Sequence, residues 1–198
     1  MIRKFIKRFF TRAVTPSSQD VLPPTLCRIS RKQHGITRNQ ISASALKVTI
    51  ALQQAGYSAY IVGGAIRDLL LDIKPKDFDI ATNAMPEEVR GLFRRSRIIG
   101  RRFRLVHVMF GDEIVEVSTF RANYSADNDA GMMAPNPADP HGRLLHDNIF
   151  GSQEEDVLRR DFTMNALLYN PATEEILDYL NGYQDIQARC LRIIGSPE

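Results

Sequence analysis

The sequence predicts an α+β or α/β domain in which helices pack on one mixed sheet, and we expect the α+β class with a mainly antiparallel sheet. Two observations favour this class. Helical and strand-like segments alternate between residues 39 and 93, and three strand-like segments then follow one another up to residue 120. The 198 residues are 43% hydrophobic and 25% charged, which is typical of a globular protein with one core.

The first regular elements are a helix and a strand that runs into two glycines. The segment "SASALKVTIALQQAGY" predicts a helix that begins near Ser42 or Ser44 and stops at Gly56. The segment "YSAYIVGG" predicts a short strand that turns at Gly63 and Gly64. A second helix is expected to begin in "AIRDLLL", directly after this turn.

Strands dominate the next part of the chain. "FDIAT" predicts a strand, and Pro86 in "NAMPEEVRGLF" fits the first turn of a helix. Three more strands are expected at "SRIIG", "LVHVMFG" and "EIVEVSTF", the last two joined by "GDE" as a hairpin. Residues 122–148 lack periodicity and predict a long loop, either a functional flap or a disordered segment. "QEEDVLRRDFTMNALLYN" then predicts a helical stretch, followed by a strand in "EILDYL".

Charge is distributed unevenly along the chain, although the net charge is only +3. Residues 1–67 hold eleven Lys or Arg and one acid, whereas the remainder holds fifteen bases and twenty-two acids. "MIRKFIKRFFTR" predicts a basic amphipathic helix within residues 1–14, which would contact an anionic membrane surface or nucleic acid. The alternative is a disordered tail. We therefore expect a flexible basic arm at residues 1–30 and one domain at residues 31–198.

Some protein classes are disfavoured by composition. No apolar run approaches the roughly 20 residues that a membrane span needs. Cys27 and Cys190 are far apart and indicate neither a disulfide framework nor a zinc site. A reducing compartment, and hence a cytoplasmic location, is expected.

Two aspartates, Asp77 and Asp79, lie within one strand-like segment. Because strand side chains alternate, both carboxylates are expected on one face, while Phe78 and Ile80 point into the core. Like charges at this spacing repel unless a cation neutralises them, and Mg²⁺ commonly binds one or two carboxylates together with substrate phosphates. The pattern indicates a magnesium site; a solvated strand end is the alternative.

A glycine turn precedes these aspartates in "VGGAIRD". Gly63 and Gly64 allow backbone N–H groups to approach a phosphate, and the start of the following helix favours negative charge. Arg67, next to Asp68, offers a rigid fork of donors for phosphate oxygens. A simple turn would explain the glycines alone, but the glycines, the arginine and D-x-D together indicate a site for nucleotide phosphates.

A third motif, "EEDVLRRDF", places Asp156, Arg159, Arg160 and Asp161 on the expected helix. Asn165 would lie one turn further on the same face. Beside a triphosphate, one arginine can bind phosphates while the aspartate orients it or contacts the sugar. The alternative is a cluster of surface salt bridges.

The segments "YIVGGAIRDLLLDIKPKDFDIATNAMPEEV" and "EEDVLRRDFTMNALLYN" together resemble the class II nucleotidyltransferases, over roughly residues 30–198. These are the bacterial poly(A) polymerases and the tRNA CCA-adding enzymes, and the resemblance implies a polymerase-beta-like head as the fold. It also implies that Asp77 and Asp79 bind two catalytic Mg²⁺ ions and that ATP is the substrate. The residues implied in nucleotide binding are Gly63, Gly64, Arg67, Asp68, Arg159, Arg160 and Asn165.

A third catalytic carboxylate is expected at Glu116 or Asp161. Glu113 and Glu116 are an odd number of residues apart, so on a regular strand only one of them can face the site. We expect Glu116 to face the metal and Asp161 to lie on the nucleotide side.

Other segments resemble the polyadenylating branch of the family, among them "IIGRRFRLVHV" and "HGITRNQISASALKV". Arg101, Arg102 and Arg104 belong to a basic run that contains no acid between Val89 and Gly111. Such a run can hold an RNA backbone or the triphosphate.

The implied activity is template-independent addition of AMP from ATP to RNA 3′ ends, with release of pyrophosphate, in RNA processing and decay. The alternatives are a tRNA CCA-adding enzyme and a catalytically silent RNA-binding module. His107 is expected to be a packed residue. The family continues into a base-recognition helix and an RNA-binding body, and this sequence ends before them at "GSPE". We therefore expect this chain to bind metal and triphosphate but either to select ATP poorly or not to turn over. Because of its basic arm, we also expect the cytoplasmic protein to contact the inner membrane surface.

Overall fold

The computed structural model describes residues 12–14, 25–101, 103–122 and 150–195. The helices in these ranges are α1 (Arg31–His34), α2 (Ala43–Gln54), α3 (Gly64–Leu70), α4 (Pro86–Leu92), α5 (Gln153–Leu158) and α6 (Gly182–Gln187). The strands are β1 (Arg12–Val14), β2 (Cys27–Ile29), β3 (Ala59–Val62), β4 (Asp79–Thr82), β5 (Ser96–Ile99), β6 (Leu105–Phe110), β7 (Glu113–Thr119), β8 (Leu168–Asn170), β9 (Glu175–Asp178) and β10 (Cys190–Arg192). Short 3₁₀ helices lie at Arg38–Gln40 and Thr163–Asn165.

Eight strands form one sheet in the order β2-β9-β8-β3-β4-β7-β6-β5. Neighbouring strands are antiparallel except for β4 and β7, which are parallel. Strand β1 pairs in parallel with β10 and forms a separate two-stranded sheet. The predicted mixed and mainly antiparallel sheet with packed helices is confirmed.

Local sequence accounts for two of the predicted elements. Helix α2 begins after Ser42, whose hydroxyl accepts hydrogen bonds from the backbone N–H groups of Ser44 and Ala45 at 3.2 and 3.3 Å. The hairpin between β6 and β7 turns at Gly111, which has a φ of 58°, a conformation that glycine adopts at little cost. Both elements are where the sequence predicts them.

Two rows of residues cross the sheet side by side and face opposite ways, as neighbouring positions on strands do. The first row packs under the helices in the larger hydrophobic cluster; it comprises Ile29, Ile176, Tyr169, Ile61, Ile80, Val117, Val106 and Ile98. The second row, called the Asp79 row below, comprises Arg28, Leu177, Leu168, Val62, Asp79, Glu116, His107 and Arg97. The middle of the Asp79 row is buried in a second apolar cluster with Val157 of α5, whereas the part from β4 to β5 is polar.

The prediction of one helical stretch across "QEEDVLRRDFTMNALLYN" is wrong. Helix α5 ends at Leu158, and after a 3₁₀ turn the chain enters β8. Between them Phe162 forms a β-bridge with Ile193, and the N–H of Ile194 donates to the carbonyl of Asp161 at 3.0 Å. These contacts take the backbone out of the helical path. Helix α6 is an element that the sequence analysis did not predict.

Two predictions lie on residues outside the described ranges. These are the amphipathic helix within residues 1–14, apart from the short strand at Arg12–Val14, and nearly all of the loop at residues 122–148. The main sheet already includes Cys27–Ile29, and it therefore begins a few residues before the expected domain start at residue 31. Within the described ranges, no helix has the length and apolar content that crossing a membrane requires.

Candidate active site

The two aspartates of D-x-D lie at the start of the central strand β4. Asp79 is its first residue, and Asp77 precedes the strand by two positions, so the prediction that both lie on the strand holds only for Asp79. Ile80 is fully buried and Phe78 packs against the core, whereas both aspartates are exposed. The alternation places the carboxylates at the surface because their apolar neighbours are drawn into the core.

The carboxylate of Asp79 lies among other acids. Glu116 is its direct neighbour across the parallel pair of β4 and β7. Protein atoms withdraw the Asp79 carboxylate from water, which is the largest cause that raises its pKa from 3.8 to about 6; Glu116 and Asp77 raise it further, and Arg160 opposes them. The residue as a whole is exposed. The charged neighbours that act on its carboxylate are two acids and one arginine, so negative charge predominates around it.

Glu113 and Glu116 lie at different places, as their odd spacing predicts. Glu113 accepts a hydrogen bond from the hydroxyl of Ser42, at the start of α2 on the helix-covered side of the sheet. Glu116 lies in the Asp79 row on the opposite face, where one carboxylate oxygen is 3.3 Å from Nε2 of His107. Of the two glutamates, Glu116 is therefore the one beside Asp79.

The donor set around Asp79 fits a hard divalent cation. Carboxylate oxygens are the preferred ligands of Mg²⁺, and the Asp79 carboxylate lies beside Glu116 and near Asp77, with the charge of Arg160 opposing theirs. In the described ranges, no group of three or more His, Cys, Asp or Glu side chains converges closely enough to form a metal cluster. The arrangement thus suits a cation held by few side chains and completed by other oxygens, such as those of a phosphate.

The glycine turn lies between β3 and α3 and leaves room for two arginines. Gly63 has a φ of 71°, and a Cβ atom there would be 3.6 Å from Nη1 of Arg160. A Cβ atom on Gly64 would be 3.3 Å from Nη2 of Arg67. The absence of side chains therefore lets both guanidinium groups approach the turn.

Arg67 is held by two partners on different parts of the chain. Its Nε and Nη2 atoms donate to Oδ1 of Asp68 at 2.9 and 2.7 Å, and its Nη1 donates to Oδ1 of Asn165 at 2.9 Å. The side chains of Arg67 and Asp68 are only 20% and 18% exposed. These bonds join the glycine turn to the "RRDFTMN" segment, 98 residues further along the chain.

Arg160 is fixed on the other side of the same turn. Its Nη2 donates to Oδ2 of Asp156 at 3.0 Å, and its Nη1 donates to the carbonyl of Asn165 at 3.2 Å. Its Nε is buried and has no hydrogen-bond partner among the described residues. Asp156, which the sequence analysis placed in the same motif without giving it a role, is buried. Its position four residues before Arg160 was the available signal.

Asp161 and Arg159 lie outside the helix on which they were expected. Arg159 caps the C-terminus of α5 and is exposed. The Oδ1 atom of Asp161 accepts hydrogen bonds from the N–H of Phe162 at 2.8 Å and from Nδ2 of Asn165 at 3.0 Å. Asp161 and Asn165 thus meet as predicted, but through an extended segment and a 3₁₀ helix rather than one helical turn.

The basic run is only partly described. Arg101 is exposed, and Arg102 lies outside the described ranges. Arg104 forms an ion pair with Glu87 at the start of α4, and its guanidinium lowers the pKa of that carboxyl group.

Comparisons of the chain with a family model and with known proteins agree on one family. The model of the poly(A) polymerase head domain matches residues 59–192, more than half of the chain. Poly(A) polymerase I of Salmonella typhimurium is 50% identical over 200 residues, covering 100% of this chain and 42% of that protein. Poly(A) polymerase I of Haemophilus influenzae is 52% identical over 171 residues, covering 85% of this chain and 37% of that protein. The chain thus spans less than half the length of these relatives.

Enzymes that add CCA are also similar to the chain. The CCA-adding enzyme of Lactobacillus helveticus is 39% identical over 154 residues, covering 78% of this chain and 35% of that protein. The crystal structure of the Bacillus stearothermophilus CCA-adding enzyme in complex with CTP has a TM-score of 0.61 and 36% identity, covering 76% of this chain and 33% of that one. The resemblance that the two motifs carry is confirmed: the chain belongs to the poly(A) polymerase head-domain family of nucleotidyltransferases.

Proposed function

We propose that this chain forms the nucleotidyltransferase part of an enzyme that transfers AMP from ATP to the 3′-hydroxyl of RNA without a template. In this reaction the 3′-hydroxyl loses its proton and its oxygen forms a bond to the α-phosphorus, while the bond from that phosphorus to the bridging oxygen breaks and pyrophosphate leaves. The 50% identity to a poly(A) polymerase I over the whole chain supports this activity. No nucleophilic serine or cysteine is required, since the RNA supplies the attacking oxygen.

One observation carries the proposal: three separate motifs meet at a single place. Arg67 and Arg160 flank the glycine turn and both bind Asn165, while the charge of Arg160 acts on Asp79. Two guanidinium groups at the glycine turn, one of them close enough to act on the Asp79 carboxylate, form a site that can hold a triphosphate together with a divalent cation.

The side chains around the turn have complementary roles in this proposal. Gly63 and Gly64 allow phosphate oxygens to approach the backbone, and Arg67 and Arg160 bind those oxygens. The arginines are already held in position by carboxylates, so little conformational entropy is lost when phosphate binds. The remaining proposed nucleotide contacts are Asp68, Arg159 and Asn165, with Asp161 on the sugar side.

Asp77 and Asp79, with Glu116 as third carboxylate, would hold the two magnesium ions. When bound, the ions would favour ionisation of the attacking hydroxyl and neutralise charge on the phosphates. The carboxylates themselves repel one another in the metal-free protein. A bound cation would reduce this repulsion and would also allow the negatively charged phosphates to lie close to the acidic side chains.

The test is to incubate the full-length protein with RNA and each nucleoside triphosphate separately, in the presence of Mg²⁺. We expect repeated addition of AMP from ATP alone. Replacing both Asp77 and Asp79 by Asn should abolish transfer and leave RNA binding near normal. Transfer that survives the double substitution would contradict the metal assignment.

Addition of CCA to tRNA is the second candidate, since a relative with that activity is 39% identical over 78% of this chain. The two activities differ in the choice of base. The discriminating substrate is RNA that lacks its 3′-CCA; efficient incorporation of CTP would favour this candidate over polyadenylation. Absence of transfer from every nucleotide, with RNA still bound, would leave a silent RNA-binding module.

RNA contact is proposed for Arg101, Arg102 and Arg104, and contact with RNA or with an anionic inner membrane surface for residues 1–14. The exposure of Arg101 is compatible with a backbone contact, whereas Arg104 would have to exchange Glu87 for phosphate. Deleting residues 1–14 and measuring binding to RNA and to anionic vesicles separates the two partners. If neither changes, the arm has no such role in the cytoplasmic enzyme that we propose.

A further inference from the structure

The Asp79 row continues past Glu116 to a histidine. His107 on β6 lies directly opposite Glu116 on β7, and Glu116 lies directly opposite Asp79 on β4. The imidazole Nε2 of His107 is 3.3 Å from Oε2 of Glu116. The side chains of His107 and Glu116 are 31% and 44% exposed, so the pair lies on the open face of the sheet beside the aspartates.

The backbone that carries this pair is fixed from the opposite face. Val106 and Val108 flank His107, Val115 and Val117 flank Glu116, and all four valines are buried in the larger core cluster. The hairpin therefore holds the Cα atoms of the pair in register, and only the side chains retain freedom. A glutamate has three side-chain torsions, and a hydrogen bond from a neighbour on a fixed backbone restricts them.

A pair of this kind contributes little to stability when it is partly exposed. The pair can instead orient the carboxylate of Glu116. One carboxylate oxygen contacts the imidazole ring, and the second oxygen is then available to another ligand. Carboxylates that bind metals are generally oriented by hydrogen bonds from groups behind them, and loss of such a group weakens metal binding. His107 occupies this place relative to Glu116, on the side opposite to Asp79.

We propose that His107 is a positioning residue: it holds the Glu116 carboxylate on the open face of the sheet so that Glu116 and Asp79 can share a divalent cation. This inference rests on the proposed function, because it assumes a cation beside Asp79. It assigns His107 no contact with substrate and no role in proton transfer.

The experiment is to measure Mn²⁺ affinity of the full-length protein by electron paramagnetic resonance, without nucleotide. His107→Leu, which removes the donor, should weaken Mn²⁺ binding by about tenfold or more. His107→Gln, which keeps a side-chain N–H, should recover most of the affinity. Met109→Leu, on the same strand and face, is the matched control and should leave affinity unchanged.

Transfer assays provide a second measurement. The Mg²⁺ concentration that gives half-maximal AMP transfer should rise in His107→Leu, while KM for ATP at saturating Mg²⁺ should stay close to that of wild type. Equal Mn²⁺ affinity in wild type and His107→Leu, or no recovery by His107→Gln, would overturn the inference.

Asp79→Asn separates failure of this inference from failure of the proposed function. If Asp79→Asn loses Mn²⁺ binding and His107→Leu does not, only the role of His107 is wrong. If Asp79→Asn binds Mn²⁺ as wild type does, the cation site itself is wrong. Thermal melts of each variant establish that the compared proteins are folded.

Discussion

Replacing Asp79 by Asn should stabilise the metal-free protein while abolishing its proposed activity. Withdrawal of the Asp79 carboxylate from water, together with the neighbouring charges of Glu116 and Asp77, raises its pKa from 3.8 to about 6. A raised pKa in an acid means that the folded state disfavours the ionised form. Asparagine keeps the size of the side chain and removes the charge that the fold opposes.

The magnitude follows from that difference. The interval between 3.8 and about 6 sets an upper bound of about 3 kcal/mol on the cost of ionising Asp79 in the folded state. Because the residue is exposed, solvent screens part of this cost, and we expect a gain of about 1 kcal/mol in the free energy of unfolding. For a protein of this size, that is a rise in Tm of about 2–4 °C.

The pH dependence has a definite sign. Between pH 3.8 and about 6, the folded protein binds this proton more tightly than the unfolded chain, so the wild type loses stability as pH rises through that window. The advantage of Asp79→Asn should therefore be complete at about pH 7.5 and much reduced at about pH 4. Thermal melts with a chelator present measure both. Adding Mg²⁺ should stabilise the wild type alone and reduce the difference.

Asp112→Asn is the control, since this aspartate lies in the exposed turn between β6 and β7, four residues along the chain from Glu116. It should change Tm little at either pH. An Asp79→Asn variant no more stable than wild type at about pH 7.5, or equally stabilised at both pH values, would refute the reasoning.

Three further substitutions probe the scaffold, with urea unfolding as the measurement. Gly182→Ala should destabilise by more than about 2 kcal/mol, because its Cβ would lie 2.1 Å from the carbonyl oxygen of Thr163. Asp178→Ala should cost about 2–3 kcal/mol, since this buried carboxylate accepts the N–H groups of Leu180, Gly182 and Tyr183. Ser42→Ala should cost about 1 kcal/mol through loss of the N-cap of α2.

Each of these has a matched control. Gly91→Ala lies in α4 with nothing within 4 Å and should stabilise by about 0.5–1 kcal/mol. Glu175→Ala, on the same strand as Asp178, removes only an exposed pair with Arg28 and should cost less than about 1 kcal/mol. Ser44 is the second residue of α2, and Ser44→Ala should leave the free energy of unfolding nearly unchanged. Equal effects in any variant and its control would contradict the corresponding mechanism.

Much of the fold was predictable because its signals are local. Ser42 and Gly56 delimit α2, and "GDE" marks the β6–β7 hairpin, since caps and turns depend on a few adjacent residues. The prediction that the helix continues beyond Leu158 was wrong because the chain there is shaped by a contact with a distant segment. The apolar spacing there is compatible with a helix, but Phe162 pairs with Ile193, and no local pattern reveals a partner 31 residues away.

The candidate site divides in the same way. Alternation along a strand showed that Asp77 and Asp79 point away from the core, and the odd spacing of Glu113 and Glu116 showed that only one of the two can lie beside them. Which of them does is decided by the register of β4 against β7, where Asp79 faces Glu116. Sequence reasoning treated His107 as a packed residue, because nothing local distinguishes it; only the pairing of β6 with β7 brings it to Glu116.

By itself, the sequence determined the family, the motif residues and, in the strands that it predicted, which residues alternate between the two faces, because these depend on residue types and on periodicity within one segment. The tertiary structure alone decided which segments are neighbours. It joins Arg67 to Asn165 across 98 residues and places Arg160 against the glycine turn. Such contacts depend on strand order and lateral register, which arise from burial of the whole apolar row at once and leave no trace in the spacing along one strand.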